Sequence, residues 1–192
     1  MDFENLSARI AALLAAAPAR PVLVALDGRC GSGKTTLAAR LAERFPASCT
    51  IHTDDYYLPP ARRVPGWEKI PCANMDLARL RAEVLAPARA GQAFIYRAYS
   101  CREGAYLPPV PLSPAPLVLV EGSYSHHPTL ADLYDLRVFV TCSQTEQTRR
   151  LQNREGARYA AFAARWIPLE EAYFAQDQIE RSADLVLDTT QL

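Results

Sequence analysis

The run Gly28-Arg29-Cys30-Gly31-Ser32-Gly33-Lys34-Thr35 has the spacing G-x-x-x-x-G-K-[ST], and its residue types suit an anion. Gly28, Gly31 and Gly33 admit backbone angles that turn successive N–H groups toward one point, with no Cβ in the way of an approaching oxygen. A buried-type strand over Pro21–Asp27 leads into the run and a helix over Thr35–Arg44 leaves it. The partial positive charge of the helix N-terminus therefore falls on the same point. In that context the run reads as a cradle for a nucleoside triphosphate, with Gly28, Gly31, Ser32, Gly33, Lys34, Thr35 and Thr36 as contacts. Lys34 reaches the β- and γ-phosphates, and the Thr35 hydroxyl is a ligand for Mg²⁺. At Cys30 and Ser32 the backbone matters more than the side chain.

A second feature belongs with this loop. Leu117-Val118-Leu119-Val120-Glu121-Gly122 is an apolar strand that ends in a carboxylate. Where that strand lies beside the first, Glu121 falls near Thr35 and serves the metal directly or through water.

These groups need a scaffold. Short β-branched-rich runs at Val22–Leu26, Thr50–Thr53, Leu117–Val120, Arg137–Thr141 and Leu185–Leu187 read as strands. Helical patterns separate them at Thr35–Phe45, Met75–Ala90, Gln144–Glu155 and Leu169–Ser182. An Ala-rich first helix carries Leu6, Ile10, Leu13 and Ala17 on one face, and Ala93–Tyr99 has the character of a small hairpin or edge element. Strand and helix in alternation predict an α/β fold, a mostly parallel five-stranded sheet flanked by helices in three layers. Proline gathers at Pro59–Pro71 and Pro108–Pro116, segments closed to helix interiors. With 192 residues, one domain over 1–192 is expected.

Composition narrows the function class. Lys+Arg and Asp+Glu both number 21, a balance unsuited to neutralising nucleic-acid phosphates or anionic lipid. No apolar run approaches bilayer length, and the acidic N-terminus lacks the basic region of a signal peptide. The five cysteines are scattered without C-x-x-C spacing, which fits free thiols in a reducing cytoplasm. His52, His126 and His127 make no metal-ligand pattern with them. The composition is compatible with a homo-oligomer.

Two more stretches complete an ordered set: Asp54-Asp55-Tyr56-Tyr57 after the second strand, and Ser182-Ala183-Asp184-Leu185-Val186-Leu187 near the C-terminus. With the phosphate loop and Val120-Glu121-Gly122, they resemble the uridine kinase and phosphoribulokinase family of P-loop small-molecule kinases. Leu130–Val140 and Asn74-Met75-Asp76 are similar to family segments too, so the resemblance runs from Val22 to Leu187. It implies ATP and Mg²⁺ as cofactors, a small-molecule hydroxyl acceptor, an acceptor-side insertion and an arginine-rich lid. It implies Asp54 as general base on the acceptor hydroxyl, with Asp55 orienting the loop and Tyr57 walling the acceptor pocket. A carboxylate at a strand end facing the γ-phosphate suits that role. The lid is Thr148–Arg158, two helical pieces meeting at Gly156, where Arg150 and Arg154 share a helix face and act on the moving phosphoryl charge.

The chain departs from the family at the acceptor. Leu77 stands where uridine kinases carry a histidine of the nucleoside pocket, and Tyr96-Arg97-Ala98-Tyr99 replaces an acidic residue by Arg97. Tyr96, Arg97 and Arg102 are expected on the acceptor, favouring a polar or anionic one. The helix Trp166–Ser182 is expected to be packing, with Trp166 and Phe174 in the core, and the turn after Leu187 borders the adenine. The competing class is a P-loop switch or regulatory nucleotide-binding module. No N-K-x-D base-recognition motif supports a GTPase, and a base and a lid are more than binding requires.

Overall fold

Along the first strand, β1 (Val22–Gly28), alternate side chains face opposite sides, and both sides are apolar. Such a strand is stable only with cover on each face. The computed structural model, which describes residues 2–191, places it at the centre of a sheet ordered β2-β7-β1-β8-β9. The neighbours are β2 (Ser48–His52), β7 (Leu117–Glu121), β8 (Leu136–Thr141) and β9 (Leu185–Asp188), and all four pairings are parallel. The expected mostly parallel five-stranded sheet is thus wholly parallel. Its first strand-to-helix turn is the phosphate loop, followed by α2 (Lys34–Arg44).

On one face Val24, Leu26, Leu119, Val138 and Val140 pack against α1 (Phe3–Ala16) and α2 through Leu6, Ile10, Leu37 and Leu41. Leu13 and Ala17 join the same cluster, the face read from the sequence. On the other, Leu23, Ile51, Val118, Val120 and Phe139 meet Leu80, Val84, Leu85, Tyr173, Phe174 and Ile179. The helix expected over Met75–Ala90 starts later: Asp76 caps α3 (Leu77–Leu80), a π-helical turn Arg81–Leu85 follows, and α4 (Ala86–Arg89) ends it. Pro87 lacks the N–H that would bond the Glu83 carbonyl, and the widened turn lies where that bond is missing.

Between α4 and β7 lie two small antiparallel ladders: β3 (Phe94–Tyr96) with β6 (Val110–Leu112), and β4 (Tyr99–Ser100) with β5 (Ala105–Tyr106). The proline-rich stretch there is partly strand. Pro111 sits opposite Ile95 in a two-stranded ladder, where an open edge needs no donor. After β7 come α5 (Pro128–Ala131), then β8 and the lid region: α6 (Gln144–Glu155), a 3₁₀ turn Gly156–Arg158 and α7 (Tyr159–Gln176). The two helical pieces do meet at Gly156. The expected helix Leu169–Ser182 is broken instead: Gln178 takes a left-handed conformation, and α8 (Ile179–Ser182) resumes after it.

Candidate active site

β1 delivers the loop to the C-terminal edge of the sheet. Gly28 is required there because β8 passes close: a Cβ would stand 1.9 Å from the Val140 carbonyl oxygen. The Gly28 N–H donates to the wholly buried Asp27 carboxylate at 2.7 Å, whose other oxygen accepts from the His126 N–H and the Tyr173 hydroxyl, each at 2.8 Å. Three donors hold this buried side chain and with it the first turn of the loop. The Lys34 ammonium crosses the loop to the carbonyls of Gly28 (2.6 Å) and Arg29 (3.0 Å), leaving its third donor for the cleft.

Parallel pairing brings the carboxylates in. Leu26 lies opposite Glu121, and His52 opposite Glu121 from the other side. The Thr35 hydroxyl donates to Glu121 at 3.1 Å, so the two stand as neighbours, the proximity expected from the sequence. His52 Nδ1 lies 2.6 Å from the same carboxylate, and that hydrogen bond holds the imidazole above its usual range against the opposing effect of burial. The pair Thr35 and Glu121 fits Mg²⁺, which prefers hard oxygens and takes one or two protein ligands beside phosphate oxygens. Among the described residues no cluster of three or more His, Cys, Asp or Glu forms a cage that would hold an ion without the nucleotide.

β2 ends at His52, one residue before the expected Thr53, and the chain tightens into a 3₁₀ turn, Thr53–Tyr56. That turn aims Asp54 into a cleft of about 450 Å³ lined also by Lys34, Thr35, Glu121, Tyr57, Arg150 and Arg154. The Tyr57 hydroxyl donates to Asp54 at 3.3 Å. Asp54 is open to solvent at the cleft mouth but crowded on its inner sides. That crowding raises its pKa, with the Glu121 charge pushing the same way and Lys34 opposing. Asp55 points elsewhere and receives a short hydrogen bond from the Tyr96 hydroxyl.

Arg150 is bound at several points: to Glu146 (2.6 Å), to the Thr189 carbonyl (2.7 Å) and hydroxyl oxygen (3.0 Å), and to the Gly31 carbonyl (3.4 Å). It joins the lid helix to the loop and to the turn after β9. Arg154 pairs with Glu155 at 2.9 Å and lies over the Phe162 ring at 5.1 Å. Tyr96, Arg97 and Arg102 do not line the cleft. The Arg97 guanidinium covers the Tyr106 ring at 5.0 Å and its carbonyl accepts from Arg79, while Arg102 lies in an exposed turn.

Other residues were not legible as site residues. Glu170, 5% exposed, accepts from the Cys30 N–H at 2.9 Å and the Ser123 hydroxyl at 2.7 Å. Tyr124, Phe162 and Trp166 line the cleft with it. Trp166 is half-buried in that wall, not in the core; Phe174 is core as expected. His126 is buried against Ala25, and His127 stacks on Tyr173.

No family model and no curated protein matches the chain. Solved structures do. A protein named as a possible uridine kinase from Bacillus stearothermophilus matches with TM-score 0.69 at 21% identity, over 96% of this chain and all of that one. A protein provisionally named a fructose transport system kinase from Silicibacter matches with TM-score 0.76 at 21% identity, over 97% and 98%. Phosphoribulokinase from Rhodobacter spheroides matches with TM-score 0.62 at 15% identity, over 88% and 70%. By these matches this chain has the fold of the uridine kinase and phosphoribulokinase group of P-loop kinases.

Proposed function

We propose that residues 1–192 form a single kinase domain that transfers the γ-phosphoryl group of ATP to a hydroxyl of a small metabolite. The observation that carries this is the convergence of Asp54, Lys34 and the Thr35–Glu121 pair on one cleft. A switch protein needs the last two but has no use for a carboxylate poised to take a proton.

In this reading the loop N–H groups and Lys34 hold the β- and γ-phosphates, and Thr35 with Glu121 holds Mg²⁺, which neutralises charge on those phosphates when bound. Asp54 accepts the proton of the acceptor hydroxyl as its oxygen attacks the γ-phosphorus. Arg154 and Arg150 close from the lid and meet charge developing on the transferred group. Arg150 also borders a second pocket of about 240 Å³ lined by Ser32, Thr36, Leu37, Arg40 and Thr189, a fit for the adenine beside the turn after β9. The five cysteines are unpaired, which fits a reducing, cytoplasmic setting.

The test is ADP release by the purified protein against a panel of hydroxylated metabolites. Acceptor-dependent turnover, abolished by Lys34→Ala without loss of the folded far-ultraviolet signal, is the expected result. Nucleotide binding with no turnover on any acceptor would favour a binding module instead.

A further inference from the structure

Glu121 has a second partner besides Thr35. β2 and β7 run parallel, with His52 opposite Glu121 at the ends of the two strands. Residues paired in this way lie about 5 Å apart with side chains on one face of the sheet, and the His52 ring spans that gap sideways. Its Nδ1 lies 2.6 Å from Glu121 Oε1, while the Thr35 hydroxyl comes closest to Oε2, at 3.1 Å. A carboxylate only accepts, so Nδ1 carries the proton of this contact. The Glu121 side chain is 7% exposed, and its two oxygens are thus held by donors from different elements, β2 and α2. His52 itself is absent from the cleft lining, which includes Lys34, Thr35, Asp54 and Glu121. It therefore meets neither phosphate nor acceptor and acts through Glu121. The His52 N–H lies 3.4 Å from the Tyr96 hydroxyl, which donates in turn to Asp55. Tyr96, expected on the acceptor, stands instead against the end of β2.

Removing the Nδ1 donor would leave one oxygen of a buried carboxylate unsatisfied, a cost that Glu121 escapes only by turning toward water. An ion held by one or two protein oxygens beside phosphate depends on how those oxygens are aimed. We propose that His52 is a positioning residue whose hydrogen bond fixes Glu121 toward Thr35, and that it thereby confers a preference for Mg²⁺-bound over metal-free nucleotide. The proposal rests on the reading of Thr35 and Glu121 as the Mg²⁺ side of the cleft. In it His52 neither ligates the ion nor takes a proton from the acceptor.

Binding measurements test it without turnover. The full chain, His52→Ala and His52→Asn are titrated in a calorimeter with the non-hydrolysable β,γ-imido analogue of ATP, in excess EDTA and across a series of Mg²⁺ concentrations. The His52 side chain is 43% exposed, so both variants should keep the parent's far-ultraviolet signal. Asn carries an amide N–H near the place of Nδ1, and Ala carries none. In His52→Ala the affinity gained on adding Mg²⁺ should shrink about tenfold, with the half-saturating Mg²⁺ concentration rising to match. Kd in EDTA should move less than about threefold, and His52→Asn should return the gain to within about threefold of the parent. An unchanged Mg²⁺ effect in His52→Ala, an equal loss in EDTA, or an Asn variant no better than Ala would overturn the proposal and leave the kinase reading intact. Nucleotide binding that ignores Mg²⁺ in the parent would overturn the proposal together with the Mg²⁺ reading of Thr35 and Glu121. The expected binding pattern without turnover on any acceptor would support His52 as a positioning residue and count against the kinase reading alone.

Discussion

Gly122→Ala adds one methyl group at the junction between Glu121 and the turn that carries Asp54. Gly122 adopts φ +129, and a Cβ there would stand 2.1 Å from Thr53 Oγ1 and 3.3 Å from Thr53 Cβ. The Thr53 hydroxyl cannot simply rotate away, because the side chain is wholly buried and donates to the Ser123 carbonyl at 3.0 Å. Gly122 in turn donates its N–H to Leu26 at 3.2 Å, so its backbone is held by β1. A non-glycine residue at this φ costs about 1–3 kcal/mol. Displacing Thr53 adds about 1–3 kcal/mol of overpacking, and its lost hydrogen bond about 1 kcal/mol. Allowing for partial relief among these, a loss of roughly 3–5 kcal/mol is expected. Equilibrium urea unfolding, followed by tryptophan fluorescence, measures it. In a Thr53→Ala background the nearest atom is gone, so the pair should cost at least about 1 kcal/mol less than the sum of the single changes. Because the contact joins Glu121–Gly122 to Thr53–Asp54, any folded variant should also lose about 10²-fold in kcat. A Gly122→Ala protein within about 1 kcal/mol of the parent, or strict additivity in the double variant, would refute the close-approach argument.

Asp54→Asn should lower kcat by about 10²–10⁴ with little change in ATP affinity, and Asp55→Asn, at a carboxylate bonded to Tyr96, should do much less. The pKa of Asp54, raised by crowding on its inner sides with Lys34 opposing and Glu121 assisting, should move the acid limb of kcat/KM upward from that of an ordinary carboxylate. Activity therefore falls as pH drops through that raised value, and a pH–rate profile checks it. Asp135, 9% exposed, accepts from Arg20, Arg89 and the Leu23 N–H, and these bonds outweigh burial to depress its pKa. Its contribution is fully present above the unfolded carboxylate pKa and is lost as pH falls through the lower folded value. Asp135→Asn should thus cost about 1–2 kcal/mol at neutral pH, after screening at two part-exposed arginines, and the gap to the parent should close in acid.

The loop and the strand-end carboxylate were legible because their chemistry is local. Glycine spacing, a lysine and a hydroxyl are adjacent in the chain, and a strand followed by Glu121-Gly122 tells its own story. The ends of elements were less so. β2 stops at His52 rather than Thr53 because the turn holding Asp54 must begin under Gly122. The helix expected to end at Ser182 breaks at Gln178, with nothing in the local pattern to announce a left-handed residue.

Local order along the chain therefore sets the α/β alternation, the glycine-rich loop and the place of Asp54 just past a strand end, since each depends on residues within a few positions of one another. The acceptor side is different. Glu170 lies 140 residues from the Cys30 N–H that it accepts from, and Trp166 reads as core packing until α7 is folded across the cleft. Arg97 and Arg102 carry the charge that suggests an anion, yet the β3–β6 and β4–β5 ladders turn them from the lining. Side-chain chemistry is written in the sequence, but which groups share a desolvated space depends on contacts between distant segments, and specificity lives in that space.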